Sequence, residues 1–305
     1  MAVLDLRKGI TKNEEYDAFV FPGGEVHFKV HKPTVLYVSR GIRIISRINS
    51  ANDLMLLILA VETIRKDGYT GKLEVVLPYM PYQQADRDFS FGECFSLQTV
   101  CKLLNTLDVD RYYIFDPHSD VSPALLKKTT TIDNSNYITE ILTHYSENLI
   151  DPKERVEDNL IIISPDAGAY KKIGKLCSKI GWEGELVAAN KYRSISTGNI
   201  ESLELSKNDF EGKDVLIIDD ICIGGRTFIK LAEKLKERNA GRLFLAISHG
   251  IFSNGFNELN QCFDQIFCTD SYFDIKDPNF LLIHEESCYK VKQININYDL
   301  LSQNK

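Results

Sequence analysis

The sequence has no cysteines paired at C-x-x-C spacing, no excess of basic charge and no apolar run long enough to cross a bilayer. Its seven cysteines (Cys94, Cys101, Cys177, Cys222, Cys262, Cys268, Cys288) match neither a zinc spacing nor a disulfide framework, and their odd number fits reduced thiols. That predicts a reducing, cytoplasmic compartment. The longest apolar run, Leu54 to Val61, falls far short of the roughly 20 residues that a membrane helix needs. The opening MAVLDLRKGI has no basic segment followed by an apolar core, so nothing in it reads as a secretory signal. A net charge of −7 argues against a nucleic-acid binder, because affinity for a phosphate backbone comes from clustered Lys and Arg. Any phosphate bound here must be gripped locally.

What is present is a regular alternation. With 305 residues, 44% of them hydrophobic, the chain is long enough for two domains of roughly 150 residues each. Short β-branched runs alternate with helical patterns: TVLYVS, then Asp53 to Arg65; KLEVVLP, then Phe95 to Leu107; RYYIFD; NLIIISPD, then Ala169 to Ile180; ELVAAN; DVLIIDD, then Phe228 to Arg238; RLFLAISHG. Phe228, Leu231, Ala232 and Leu235 fall at i, i+3, i+4, i+7, as do Ile173, Leu176, Cys177 and Ile180. Gly181 and Asn239 stand where these helices should stop. The order predicts an α/β protein with mostly parallel sheets flanked by helices. The polar stretch from Pro123 to Glu157 contains no strong strand and separates two blocks of strand–helix units. The expected division is 1–133, 134–290 and a tail, 291–305, packing back on the first domain.

The most informative segment is VLIIDDICIGGRTFIKLAEKLKER, Val215 to Arg238: a buried strand ending in paired carboxylates, a glycine loop, then an amphipathic helix. In an open parallel sheet, ligands bind beyond the carboxyl ends of strands, where Asp219 and Asp220 would lie. Gly224 and Gly225 let backbone N–H groups turn toward a ligand, and Thr227 offers a hydroxyl as the helix begins. Such a loop at a helix start favours an anion, by about 0.3–2 kcal/mol from the helix dipole alone. Glycine-rich turns are also common punctuation. Two adjacent acids at a buried strand end are not, because uncompensated buried carboxylates are costly.

This segment resembles the phosphoribosyl-diphosphate-binding motif of type I phosphoribosyltransferases. Within that superfamily the chain is similar to ribose-phosphate pyrophosphokinases, through ordered matches at FPGGE (21–25), DLMLLILAVETIRKDG (53–68), LPYMPYQQADRD (77–88), RYYIFDPHSD (111–120), IISPDAGAYKK (162–172), NKYR (190–193), VLIIDD (215–220) and AISHGIFSNG (246–255). The resemblance implies two tandem phosphoribosyltransferase-like domains, face to face, with the active site between them. It implies Mg²⁺-dependent transfer of the diphosphate of ATP to the anomeric hydroxyl of a 5-phosphorylated ribose, with AMP released. His118 alone would be an ordinary histidine, and Lys191 and Arg193 alone would be solvated charge. By resemblance, His118 and Asp166 help hold the magnesium that accompanies ATP, with Asp219 a third metal candidate. Lys191 and Arg193 become the Lys-x-Arg pair of the catalytic loop, in a polar, mobile stretch after ELVAAN. Phe21 and Glu25 become contacts to adenine, joined on the ATP side by Asp86, Arg87 and His118. Asp166, Asp219, Asp220, Gly224, Gly225, Arg226 and Thr227 become the ribose-phosphate side. A homo-oligomer, dimer or hexamer, is implied, with no nucleic-acid or membrane partner.

Two departures from the family pattern carry information. Where the family has a third aspartate followed by Thr-x-Gly-Thr, this chain has Ile223, Gly224, Gly225, Arg226 and Thr227. The pocket loses an acid and gains a guanidinium suited to bidentate phosphate contact, which suggests an acceptor with more than one phosphate, such as ADP-ribose; the alternative acceptor is ribose 5-phosphate, whose single phosphate Thr227 and the loop backbone could hold. Where the family has Arg-Gln-Asp, this chain has Gln84, Ala85 and Asp86, leaving Arg87 as the substitute nucleotide contact. The rival readings are a phosphoribosyltransferase that joins the diphosphate sugar to a base, and a non-catalytic regulatory homologue.

Overall fold

Parallel strands must be joined by crossovers long enough to return the chain to the same end of the sheet, and helices do this most compactly. The computed structural model describes residues 1–31, 33–88, 90–149, 154–193, 200–277 and 288–298. They form two compact units, Met1–Asp133 joined by Asn297 and Tyr298, and Asn134–Ile296.

In the first unit the elements run β1 (Ala2–Asp5), β2 (Tyr16–Val20), β3 (Val26–Val30), α1 (Pro33–Tyr37), β4 (Gly41–Ile45), α2 (Ala51–Lys66), β5 (Lys72–Leu77), α3 (Ser96–Leu104), β6 (Arg111–Phe115), α4 (Val121–Leu125) and β7 (Thr129–Ile132). The sheet order is β1-β4-β5-β6-β7, parallel throughout, with β2 and β3 forming a separate antiparallel hairpin. Helix α2 starts where the Ser50 hydroxyl accepts the Asp53 N–H, and it buries Leu56, Leu57, Ala60, Val61 and Ile64 against one face of the sheet. The opposite face carries a different set: Ile45, Val76 and Tyr113, packed with Tyr298.

Two local expectations fail here. The run TVLYVS does not form a strand; Pro33 opens the short helix α1, a position where its fixed φ and missing N–H cost nothing. The strand that precedes α2 is GIRII, which a central arginine disguises as polar sequence. That arginine is buried. Arg43 donates through Nε and Nη2 to Glu74 Oε2 at 3.2 and 2.8 Å and through Nη1 to the Tyr298 carbonyl at 2.6 Å, while Tyr113 donates its hydroxyl to Glu74 Oε1 at 3.2 Å.

The second unit runs α5 (Ser135–Ser146), α6 (Val156–Asn159), β8 (Leu160–Ser164), α7 (Ala167–Ile180), β9 (Leu186–Arg193), β10 (Ile200–Leu205), β11 (Asp214–Cys222), α8 (Arg226–Glu237), β12 (Leu243–Gly250), α9 (Asn257–Cys262), β13 (Gln265–Thr269) and β14 (Val291–Ile294). Its seven-stranded sheet has the order β10-β9-β8-β11-β12-β13-β14, and only β10 is antiparallel to its neighbour. Helices α5 and α7 cover one face, packing on Ile162, Leu216, Ile218 and Phe244; α8 and α9 cover the other, on Ile161, Ile163, Val215 and Ile217. Burial on both faces explains why β8 and β12 read as nearly unbroken apolar runs. The helix stops expected at Gly181 and Asn239 are present, each with positive φ, 70° and 60°.

The stretch from Pro123 to Glu157, expected to lack a strand, contains β7 and α5. The tail expected from residue 291 also starts differently. Val291 to Ile294 pairs with β13 as the edge strand of the second sheet, because its apolar residues extend the core formed by Ile266 and Phe267; of the described residues beyond it, Asn297 and Tyr298 belong to the first unit.

Burial raises the Glu74 carboxyl, but hydrogen bonds and charge from Lys72 and Arg43 outweigh it and leave its pKa below the ordinary 4.5. A depressed carboxylate contributes stability that is complete above that value and is lost as pH falls through the folded-state pKa. Glu74→Ala would leave Arg43 buried without its partner and should cost about 3–5 kcal/mol. Urea unfolding at neutral pH should give that loss, and the gap to the parent should narrow on acidification.

Candidate active site

The second sheet reverses direction between β8 and β11: after β8 the chain crosses by α7 to β9 on one side, and after β11 it crosses by α8 to β12 on the other. The carboxyl ends flanking such a reversal diverge and leave a crevice. β8 pairs with β11 only from Leu160↔Asp214 to Ile163↔Ile217, whereas β11 continues alongside β12 to Cys222↔Gly250. The paired acids therefore sit within β11, two residues before its end, on the stretch that β8 no longer flanks.

Half-buried Asp219 accepts the Asp220 N–H at 2.9 Å, and buried Asp220 lies 3.6 Å from Lys172 Nζ on α7. Burial, then the charge of Asp220 and, more weakly, of Asp166, push the Asp219 carboxyl well above its usual range. Asp166 caps α7, its Oδ1 accepting the Ala169 N–H at 2.9 Å, and its carbonyl accepts the Ser164 hydroxyl at 2.7 Å.

The glycine loop follows. Gly225 adopts φ of 78° and caps α8 without a side chain; a Cβ there would lie 3.1 Å from Leu259. Gly224 packs against Asn254, whose Nδ2 donates to its carbonyl at 3.1 Å. The turn after β12 clamps the loop further: Ile251 and Phe252 donate backbone N–H to the Cys222 carbonyl, and Ser253 to that of Ile223. Arg226 is the first residue of α8, exposed, and Thr227 is the second. The helix start leaves backbone N–H groups without intrahelical acceptors, an arrangement suited to a phosphate.

The first unit brings three predicted residues together. Loops after the neighbouring strands β5 and β6 meet: the Ser119 hydroxyl donates to Asp86 Oδ2 at 2.8 Å, Arg87 Nε to Asp86 Oδ1 at 3.0 Å, and the His118 N–H to Gln83 Oε1 at 3.0 Å. Burial raises the Asp86 carboxyl, but these hydrogen bonds and the charges of Arg87 and His118 win and hold it below its usual value. Arg87 and His118 present exposed side chains. Phe21 and Glu25 belong to a different element, the turn of the β2–β3 hairpin, where the exposed Phe21 ring packs edge-on to Phe19 and His27. Lys191 and Arg193, expected in a loop, have their backbone in β9, where Lys191 is paired with Leu203 and Arg193 with Ile200 of β10. Residues 194–199, the rest of the expected catalytic loop, lie outside the described residues.

The sequence profile of the phosphoribosyl transferase domain matches residues 128–264. A ribose-phosphate pyrophosphokinase from Pyrococcus furiosus is 32% identical over 221 residues, 70% of this chain and 71% of that protein. The chain belongs to the ribose-phosphate pyrophosphokinase family. A second member, from Vibrio parahaemolyticus, is 29% identical over 72% of this chain and 67% of its own. The phosphoribosylpyrophosphate synthetase of Mycobacterium smegmatis shares the fold over the full length of both chains, with a TM-score of 0.76 at 16% identity.

Within this pyrophosphokinase fold, Gln83 and Ser119 support the cluster of the first unit and Lys172 and Asn254 that of the second, and none of the four was singled out from sequence. Asn254 lies in the SNG turn, and its only sequence signal is that turn's proximity to the end of β12. No three His, Cys, Asp or Glu side chains converge on a preformed metal cage among the described residues. Burial first, and then the charges of Asp220 and Asp166, raise Asp219, and carboxylates whose charge is disfavoured in this way are the hard oxygen donors that suit a divalent cation. Such an ion would complete its shell with water and phosphate oxygens.

Asp219 also supplies a test. A raised carboxyl favours the folded state below its ordinary 3.8 and loses that contribution as pH rises through the folded-state pKa. Asp219→Asn should therefore be more stable than the parent near neutral pH in metal-free buffer, by about 0.5–2 kcal/mol, a gain typical of relieving a functional site. The difference should shrink on acidification, as read by thermal unfolding at two pH values.

Proposed function

We propose that this protein transfers the β,γ-diphosphate of ATP to the anomeric hydroxyl of a ribose that carries a 5-phosphate, releasing AMP. The observation that carries this reading is the glycine loop at Gly224 and Gly225, clamped by Asn254 and the turn after β12, beside Asp219 and Asp220 at the point where the second sheet reverses direction. A terminal phosphate fits the amides at the start of α8, and ribose hydroxyls would hydrogen-bond to the two carboxylates. The relatives' names, ribose-phosphate pyrophosphokinase, support the same reaction class.

In the chemical step the anomeric oxygen forms a bond to the β-phosphorus, the bond from that phosphorus to the α-phosphate oxygen breaks, and the hydroxyl proton is released. On this reading Asp86, Arg87 and His118, with Phe21 and Glu25 from the hairpin, orient the nucleotide. Mg²⁺, held by His118, Asp166 and Asp219 together with phosphate oxygens, would neutralise charge on the nucleotide. Lys191 and Arg193 would stabilise charge spread over the transferred group; an arginine in that role is worth about 10³–10⁵ in rate. Arg193→Ala should lower kcat by roughly that factor, as read by AMP release.

The acceptor is where this chain parts from ribose 5-phosphate enzymes. Arg226 is exposed at the first position of α8, beside the phosphate loop, and Ile223 adds no charge to oppose it. A guanidinium there favours an acceptor with a second phosphate, ADP-ribose being the one we infer. Incubation with ATP, Mg²⁺ and either ribose 5-phosphate or ADP-ribose, with products identified by mass, should give the diphosphorylated ADP-ribose. Arg226→Ala should raise KM for ADP-ribose by about tenfold or more, the worth of a charge-assisted hydrogen bond, and leave KM for ATP unchanged. Turnover of ribose 5-phosphate alone would exclude the larger acceptor; transfer to a base would instead favour a phosphoribosyltransferase.

A further inference from the structure

Gln83 sits at a fully buried position, where an apolar side chain of similar volume would avoid burying polar atoms. Its side chain has one partner: Oε1 accepts the backbone N–H of His118 at 3.0 Å. Of the two ends of a side-chain amide only the oxygen can accept an N–H, so the orientation of this amide is fixed by chemistry. Nε2 must then point the other way, and it has no hydrogen-bond partner among the described residues. A buried amide left half satisfied is destabilising relative to an apolar side chain of similar shape.

The surrounding backbone is also held away from its relaxed state. Tyr82, next to Gln83, has φ of 59°, and Asp116, two residues before His118, has φ of 38°, both in the left-handed region that non-glycine residues avoid. Three anchors hold the Asp116–Asp120 turn in this form: the Asp116 N–H to the Ile132 carbonyl, the Ser119 hydroxyl to Asp86, and the His118 N–H to Gln83. The His118 side chain itself is exposed. The backbone that carries it is held from behind by Gln83.

We propose that Gln83 is a positioning residue for nucleotide binding, fixing the backbone of His118 so that the exposed imidazole meets the metal–nucleotide complex. The inference rests on the role given to His118 above. Strain and an orphaned donor are costs to the fold, and they are kept because the fixed imidazole makes binding tighter.

The test compares full-length parent, Gln83→Leu, His118→Ala and the double variant, measuring MgATP affinity by titration calorimetry and thermal stability by unfolding. Gln83→Leu should melt within a few degrees of the parent, the relieved amide nitrogen offsetting the lost bond, and bind MgATP roughly five- to tenfold more weakly, the worth of one lost hydrogen bond, with affinity for the phosphorylated ribose unchanged. Added to His118→Ala, it should weaken MgATP binding no further. Unchanged MgATP affinity in Gln83→Leu, or an effect that adds fully to that of His118→Ala, would overturn the proposal. If Gln83→Leu does not fold, Gln83→Met takes its place, being unbranched and adaptable; failure of both would make Gln83 purely structural and refute the proposal. If His118→Ala binds MgATP normally, the reading of His118 itself fails and this inference falls with it; if only Gln83→Leu does, that reading stands and the positioning role alone is lost.

Discussion

The reversal of strand order between β8 and β11 determines almost everything else at the second unit's site. It ends β8 at Ser164 while β11 runs on to Cys222, so Asp219 and Asp220 emerge on a strand edge with one neighbour fewer. Two like charges would not normally persist there. Lys172 approaches Asp220, while burial and the neighbouring charge push the Asp219 carboxyl up, so the pair need not carry two full charges at once. The glycine loop depends on the same geometry, since the longer β11 brings its end within reach of the turn after β12, whose amides and Asn254 fix the loop's shape.

Buried polarity is used differently in the first unit. Arg43 and Glu74 hold each other across β4 and β5, and Arg43 reaches the carbonyl of Tyr298, so an internal ion pair ties that residue to the first sheet. Asp86, Ser119, Gln83 and His118 use a lighter version of the same device, hydrogen bonds between two loops that follow neighbouring strands. In both cases the partner is distant in sequence and adjacent only because the sheet is parallel.

That explains what could be read in advance. Periodicity made β5, β6, β8, β11 and β12 legible, together with the helices α2, α3, α7 and α8, because strands buried on both faces and helices with one apolar stripe leave unmistakable patterns; the short helices α4 and α9 went unread. The acids at 219 and 220 and the glycines at 224 and 225 were legible because their chemistry is local. GIRII was missed because its arginine is neutralised by a glutamate 31 residues away. TVLYVS was misread because β-branched composition outweighed the proline that starts a helix. Gln83 and Asn254 lay inside matched stretches but were not singled out, since a neutral amide acquires its role only from the backbone atoms it meets. The edge strand at Val291 to Ile294 looked like tail because four residues carry too little pattern.

A crystal structure with the phosphorylated ribose bound tests the central claim most directly. The account predicts its terminal phosphate on the backbone amides of residues 224–227, with ribose hydroxyls on Asp219 and Asp220. A sugar phosphate bound elsewhere, with that loop left to solvent, would contradict it.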